Sequence, residues 1–236
     1  MSTLKTQFNH VKNRISCSVK EFNREKGSVQ LLAVSKTWPA SHLRELAGFG
    51  QTAFGENYLQ EALAKVEALD DLNLTWHFIG PIQSNKTRDI AKHFGWVHSI
   101  ERSKIAQRLS DQRPENMANL NVCIQLNIDD EASKSGIKQV ELMSLAQEIH
   151  DLHNLTLRGL MIIPAVKRDP EQQKATFKHA FDLYQQLAKK HPTVDTLSMG
   201  MSNDLELAIE NGSTLVRIGS GLFGKRSTTK NTADVN

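Results

Sequence analysis

Cysteine is scarce: Cys17 and Cys123 stand alone and form no CxxC pair. That excludes a disulfide framework and a cysteine-rich zinc site. Tyrosine is as rare, only Tyr58 and Tyr184, so a reaction needing a phenol has two candidates. No stretch approaches the ~20 apolar residues that span a bilayer. Lys5, Lys12, Arg14 and Lys20 interrupt the N-terminal region where a signal peptide would carry its apolar core. A cytoplasmic location and no membrane association are expected. The net charge of +3 is mild and the basic residues are scattered, so no nucleic-acid partner is expected. His150 and His153 lack further ligands at metal spacing, and no metal site is expected. No Ser-His-Asp or Cys-His arrangement stands out, and there is no internal repeat.

What is present alternates. Leu4, Phe8, Val11, Ile15, Val19 and Phe22 recur every three or four residues, which predicts an amphipathic helix that Gly27 can end. Short apolar or β-branched runs follow near 31–36, 53–57, 75–80, 96–100, 121–128, 157–163, 195–199 and 214–219. Helix-periodic segments separate them, most clearly Leu142, Leu145, Ala146, Ile149 and Leu152, then Phe177, Phe181, Tyr184 and Leu187. The stretch Pro114 to Asn121 looks like a loop. Strands that alternate with helices imply a parallel sheet, because parallel neighbours need crossovers. Eight such units fit a single (β/α)8 TIM-type barrel, an α/β fold, with an extra N-terminal helix. A doubly wound open sheet is the alternative. The barrel domain is expected over residues 1–226, and 227–236 as a flexible polar tail.

In such a barrel, chemistry sits at the carboxyl ends of the strands, and phosphate is often held after strands seven and eight. Lys36 closes the run Leu31-Leu32-Ala33-Val34-Ser35. A partly desolvated amine there becomes nucleophilic and can capture an aldehyde; equally, it can mark where the strand meets water. Gly219-Ser220-Gly221-Leu222-Phe223-Gly224 matches GxGxxG. A dinucleotide site would also need a βαβ unit and an acidic residue about twenty positions on. Glycines after a strand nonetheless let backbone N–H groups approach a phosphate, although a plain tight turn fits as well. The loop Ser198-Met199-Gly200-Met201-Ser202-Asn203-Asp204 is of the same kind, with Asn203 as helix cap and Glu206 three residues on. Arg217 lies between Val216 and Ile218, on the same strand face as Gly219. An inward arginine needs a partner, either a ligand ring or a carboxylate such as Glu56. His77, between Trp76 and Phe78, is a satisfied core histidine or an aromatic packed on a planar ligand.

Several segments together resemble the pyridoxal phosphate homeostasis family. They are Ala33-Val34-Ser35-Lys36-Thr37, Phe54-Gly55-Glu56-Asn57-Tyr58, His77-Phe78-Ile79-Gly80, Gln83-Ser84-Asn85-Lys86, Ser133-Lys134-Ser135-Gly136, Arg158-Gly159-Leu160-Met161, Ser198 to Ser202 and Val216-Arg217-Ile218-Gly219. The resemblance covers nearly the whole chain. It implies a barrel similar to the N-terminal domain of alanine racemase and pyridoxal 5'-phosphate bound as a Schiff base to Lys36. Asn57 and His77 would line the ring and Arg217 would contact its nitrogen. Ser202, Gly219 and Ser220 would hold the phosphate, with Met199, Gly200 and Met201 in the loop that carries Ser202. Lys134 matches a lysine implicated in cofactor handling. Trp38 stands where some relatives carry a second lysine, Ser220 where a threonine is common, and Asn203 where an aspartate is common.

The function that the resemblance implies is binding and delivery of this cofactor, with apo-enzymes as acceptor partners and a monomeric carrier. A permanently charged Arg217 at the ring nitrogen would oppose its protonation and weaken carbanion chemistry. In alanine racemases the second base is a tyrosine from a C-terminal domain and a partner subunit, which this sequence is expected to lack. The alternatives are a weak amino-acid racemase or lyase, and a nucleotide-dependent oxidoreductase built on the glycine run.

Overall fold

The computed structural model describes residues 3–131, 134–165 and 169–224. The first element, α1 (Leu4–Glu21), buries Phe8, Val11, Ile15 and Val19 on one face and is capped by the Thr3 hydroxyl, which accepts from the Thr6 N–H. It stops earlier than Gly27: Asn23, at φ 51°, makes the left-handed turn instead. The short amide side chain of asparagine tolerates that region better than most.

Strand and helix then alternate through β1 (Gln30–Val34), α2 (Ala40–Gly48), β2 (Ala53–Glu56), α3 (Leu59–Ala68), β3 (Thr75–Phe78), α4 (Thr87–His93), β4 (Trp96–Ile100), α5 (Ser103–Asp111), β5 (Leu120–Leu126), α6 (Leu142–His150), β6 (Leu155–Ile162), α7 (Pro170–Lys190), β7 (Thr196–Ser198), α8 (Leu205–Glu210), β8 (Leu215–Ile218) and α9 (Ser220–Phe223). Each expected strand exists, within a few residues of its expected limits. The strands pair in parallel in chain order, and β1 also pairs with β8, so the sheet closes into a barrel. The closed sheet excludes the doubly wound alternative; the glycine run follows β8, the last strand among the described residues, so no βαβ unit is built on it there. Helix α1 packs beside α8 and α9, pinned by a two-pronged ion pair between Arg14 and Glu206 at 2.6 and 2.8 Å. The tail 227–236 and Ser133 lie outside the described residues.

The two-residue period of each strand decides which side chains enter the barrel. Gly55 aligns with Val34 and with His77, and Arg217 with Leu32. Val34, Lys36, Asn57, His77, Ile79 and Arg217 therefore share the inner face. Ser35 and Glu56 point the other way, into the layer between sheet and helices. There Glu56 meets Lys65 of α3 at 2.7 Å and the Ser35 hydroxyl at 2.6 Å. The pairing of Arg217 with Glu56 is thus excluded by strand alternation.

Candidate functional site

A cavity of about 420 Å³ opens where the strands end. Its wall includes Lys36, Asn57 and Ile79 on one side and Met201, Ser202, Gly219 and Ser220 on the other, with Arg217 among the strand residues and Met161, Ile163 and Pro164 as apolar wall. Of the residues singled out in the sequence, Lys36, Asn57, Met201, Ser202, Arg217, Gly219 and Ser220 come together here. His77, Met199 and Gly200 do not line it.

Lys36 lies two residues beyond the end of β1. Its neighbours on both sides are held. Lys65 donates to the Ser35 carbonyl at 2.8 Å, and Glu61 accepts the Thr37 N–H at 2.5 Å. Thr37 sits at φ 69°, an uncommon conformation for a β-branched residue. Lys65 also bonds Glu56 and Glu61, at 2.7 and 2.5 Å, so all three of its N–H groups are engaged. Burial raises the Glu56 carboxyl above its usual range, against the lowering effect of its Lys65 and Ser35 hydrogen bonds. The sequence reading did not find this network, because Glu61 and Lys65 look like an ordinary exposed helix pair four residues apart.

At the other side, the Ser202 hydroxyl accepts the Gly221 N–H at 3.1 Å and a hydrogen bond from the Ser220 hydroxyl at 3.2 Å. Gly221 permits this approach: a Cβ there would lie 3.0 Å from the Ile218 side chain and 3.3 Å from Ser202 Oγ. Gly200, at φ 95°, turns the chain where a Cβ would strike Ala208 at 2.6 Å. Its role is to shape the loop, and Met199 is a core residue at 0% exposure. Asn203 does not cap α8. Asp204 occupies the cap position and accepts the Met201 N–H at 2.6 Å and the Gln173 amide at 3.1 Å. One residue's offset decides this, because only Asp204 reaches back to the open N–H of Met201.

Arg217 is 5% exposed. It donates through Nη1 to the Ser198 carbonyl and hydroxyl, each at 2.7 Å, and through Nη2 to the Ile162 carbonyl at 2.8 Å. Desolvation brings it down to about 10, so it stays charged at neutral pH. His77 sits one pleat deeper than Ile79, 2% exposed, stacked on Trp96 at 5.2 Å between centroids and 2.9 Å from His98. Strand alternation gives its face but not its depth. Desolvation holds His77 down to about 3 and His98 also well below the ordinary range.

Both rings are therefore neutral in the folded protein, while in the unfolded chain they titrate near 6.5. Their contribution to stability is complete above that value and is lost as pH falls from there toward the folded pKa. Each is expected to remove up to about 1.4 kcal/mol per pH unit. Urea unfolding between pH 7 and 4 measures this. His77→Asn should flatten the slope by about one histidine's share; an unchanged slope would contradict the assignment.

Lys134, which the family resemblance singles out, follows β5 at the rim. Its Nζ is 3.5 Å from Asp129, 3.6 Å from Glu131 and 3.5 Å from the carbonyl of Ile163, a cavity residue. No helix among the described residues is long and apolar enough to cross a membrane.

Comparison with known proteins places this architecture. The family model for the N-terminal domain of alanine racemase matches residues 12–227. A pyridoxal phosphate homeostasis protein of Vibrio cholerae is 52% identical over 98% of this chain and 100% of its own. One of Pseudomonas aeruginosa is 53% identical over 96% and 97%. The chain belongs to the pyridoxal phosphate homeostasis family. Among solved structures, PipY of Synechococcus elongatus with PLP bound is 36% identical, with a TM-score of 0.77 over 89% of this chain and 100% of that one. The curated relatives are named for homeostasis of the cofactor rather than for an enzymatic reaction.

The residues present fit that group. The Asn57 Oδ1 is buried without a hydrogen-bond partner among the described residues, a vacant position for a polar ring substituent. The hydroxyl-bearing residues Ser202 and Ser220 line the same cavity as Lys36 and Arg217, a donor set of the kind that suits an anionic group.

Proposed function

We infer that this chain binds pyridoxal 5'-phosphate in the barrel-mouth cavity, holds it through Lys36 and keeps its free concentration in check. The observation that carries this reading is the convergence in one cavity of a lysine amine, a buried arginine and a two-serine cradle. Lys36 would supply the amine for condensation with the cofactor's aldehyde carbon, with loss of water; such a bond is reversible, so the cofactor could pass to another amine. Ser202 and Ser220, with the Met201–Ser202 and Gly219–Ser220 backbone, would hold the phosphate, and Asn57 would meet a ring substituent.

The cofactor, when bound, can act as an electron sink for carbanion chemistry. Arg217 would limit that capacity, because a cation held beside the ring would oppose protonation of its nitrogen. A racemase also needs an acid or base on each face of the substrate carbon. Tyr184 is buried on the outer helix α7, and Tyr58, 55% exposed, lies outside the cavity wall. Holding and release, to apo-enzymes that use the same cofactor, suit this site better than turnover.

Incubating the loaded protein with L-alanine in deuterated water tests the reading. Exchange of the α-hydrogen no faster than with cofactor and a lysine peptide is expected. Sustained catalytic exchange would instead establish a racemase or lyase.

A further inference from the structure

Beneath the cavity, four polar side chains form a line through the barrel interior. Arg217 Nη1 is 2.7 Å from Ser198 Oγ, Ser198 Oγ is 3.1 Å from His98 Nδ1, and His98 Nε2 is 2.9 Å from His77 Nδ1. Ser198 and His98 are fully buried. Such a chain must have every proton placed, because a buried donor or acceptor left without a partner is costly.

The placement follows from one end. Arg217 can only donate. Ser198 Oγ accepts from it and has a single proton to give. Were His98 protonated on Nδ1, Ser198 would accept twice, and its own proton would meet no acceptor among the described residues. If Ser198 donates to His98 Nδ1, then His98 carries its proton on Nε2 and donates to His77 Nδ1. Every contact in the line is then satisfied.

The same line fixes the guanidinium. Both Nη1 hydrogens of Arg217 end on Ser198, one on its carbonyl and one on its hydroxyl. The hydroxyl rotamer of Ser198 is set in turn by His98. Among the described residues no carboxylate hydrogen-bonds Arg217; the charge of Asp204, which lines the same cavity, acts on it only through space, so neutral oxygens fix the orientation of the guanidinium. Of its five N–H groups, three are taken by protein oxygens, which leaves donors for the cavity that Arg217 lines.

We propose that His98 is a positioning residue: acting through Ser198 in a one-way hydrogen-bond chain, Arg217 to Ser198 to His98 to His77, it aims the guanidinium at the ring of the bound cofactor. This rests on the reading of Arg217 as the group facing that ring. It assigns a role to two strand residues, His98 and Ser198, that do not line the cavity.

The tautomer is accessible without cofactor. Long-range proton–nitrogen spectra of the full chain, labelled at histidine and free of cofactor, should show His98 neutral with its proton on Nε2. A proton on Nδ1 would overturn the directed chain. The positioning role is read from dissociation rate and visible absorption of the loaded protein in three variants. Arg217→Met and His98→Leu should both shift the band and release the cofactor about tenfold faster, the scale of one hydrogen bond to a charged group. His98→Asn, whose amide oxygen can still take the Ser198 proton, should lie nearer the wild type. If His98→Leu matches the wild type while Arg217→Met does not, the positioning role is wrong and the reading of Arg217 stands. If Arg217→Met also matches, that reading fails and takes the positioning role with it.

Discussion

Lys36→Ala is expected to abolish covalent capture of pyridoxal 5'-phosphate, remove the visible absorption of the loaded protein and weaken binding by at least about 100-fold, or ~2.7 kcal/mol. The substitution leaves the hydrogen-bonded hydroxyls of Ser202 and Ser220, the proposed phosphate cradle, intact, so a weak, colourless association should persist at high cofactor concentration. The fold should survive, because Lys36 lies beyond the strand and lines a cavity. Its neighbours Ser35 and Thr37 are fastened by Lys65 and Glu61. Spectrophotometric titration and equilibrium dialysis measure the two parts separately. Retention of colour and stoichiometry would show that another lysine makes the bond.

The second large effect is on stability. Lys65→Met is expected to cost about 3–5 kcal/mol, the range for breaking a buried ion pair from one side. Lys65 and Glu56 have side chains only 6% and 0% exposed, and Lys65 gives its hydrogens to Glu56, Glu61 and the Ser35 carbonyl. Removing it strands a carboxyl that burial already raises, and takes away the contacts that lower it. Such a group contributes most below its unfolded pKa, and that contribution is lost as pH rises through the folded value. The deficit should therefore be larger at pH 8 than at pH 5. The pair Glu56→Gln with Lys65→Met should recover more than half of the loss, since no charge is then left alone. A loss under about 1 kcal/mol in urea unfolding would place the pair in contact with water instead. Because Lys65 and Glu61 fasten Ser35 and Thr37, Lys65→Met should also slow capture by Lys36.

The architecture was legible because each strand is a short apolar run and each crossover carries helical periodicity. Counting eight units suggested closure; the pairing of β1 with β8 established it. That the two glycine- and serine-bearing loops meet at one cavity was legible because they follow adjacent strands. What the sequence hid was depth and partnership. His77 shares a face with Ile79, yet only Ile79 reaches the cavity. His98 sits in Trp96-Val97-His98-Ser99-Ile100, which reads simply as a strand. The available signal was that His77 and His98 fall on the inner faces of consecutive strands, where two polar rings need each other. Glu56 looked free to meet Arg217 until strand alternation placed the two on opposite sides of the sheet.

The central claim is that one amine at the barrel mouth, Lys36, holds the cofactor while the serine cradle holds its phosphate. Borohydride reduction of the loaded wild-type protein, followed by peptide mass mapping, tests it most directly. A phosphopyridoxyl mass at one equivalent on the peptide carrying Lys36 is predicted; adducts confined to surface lysines such as Lys12 or Lys189, with Lys36 unmodified, would contradict it.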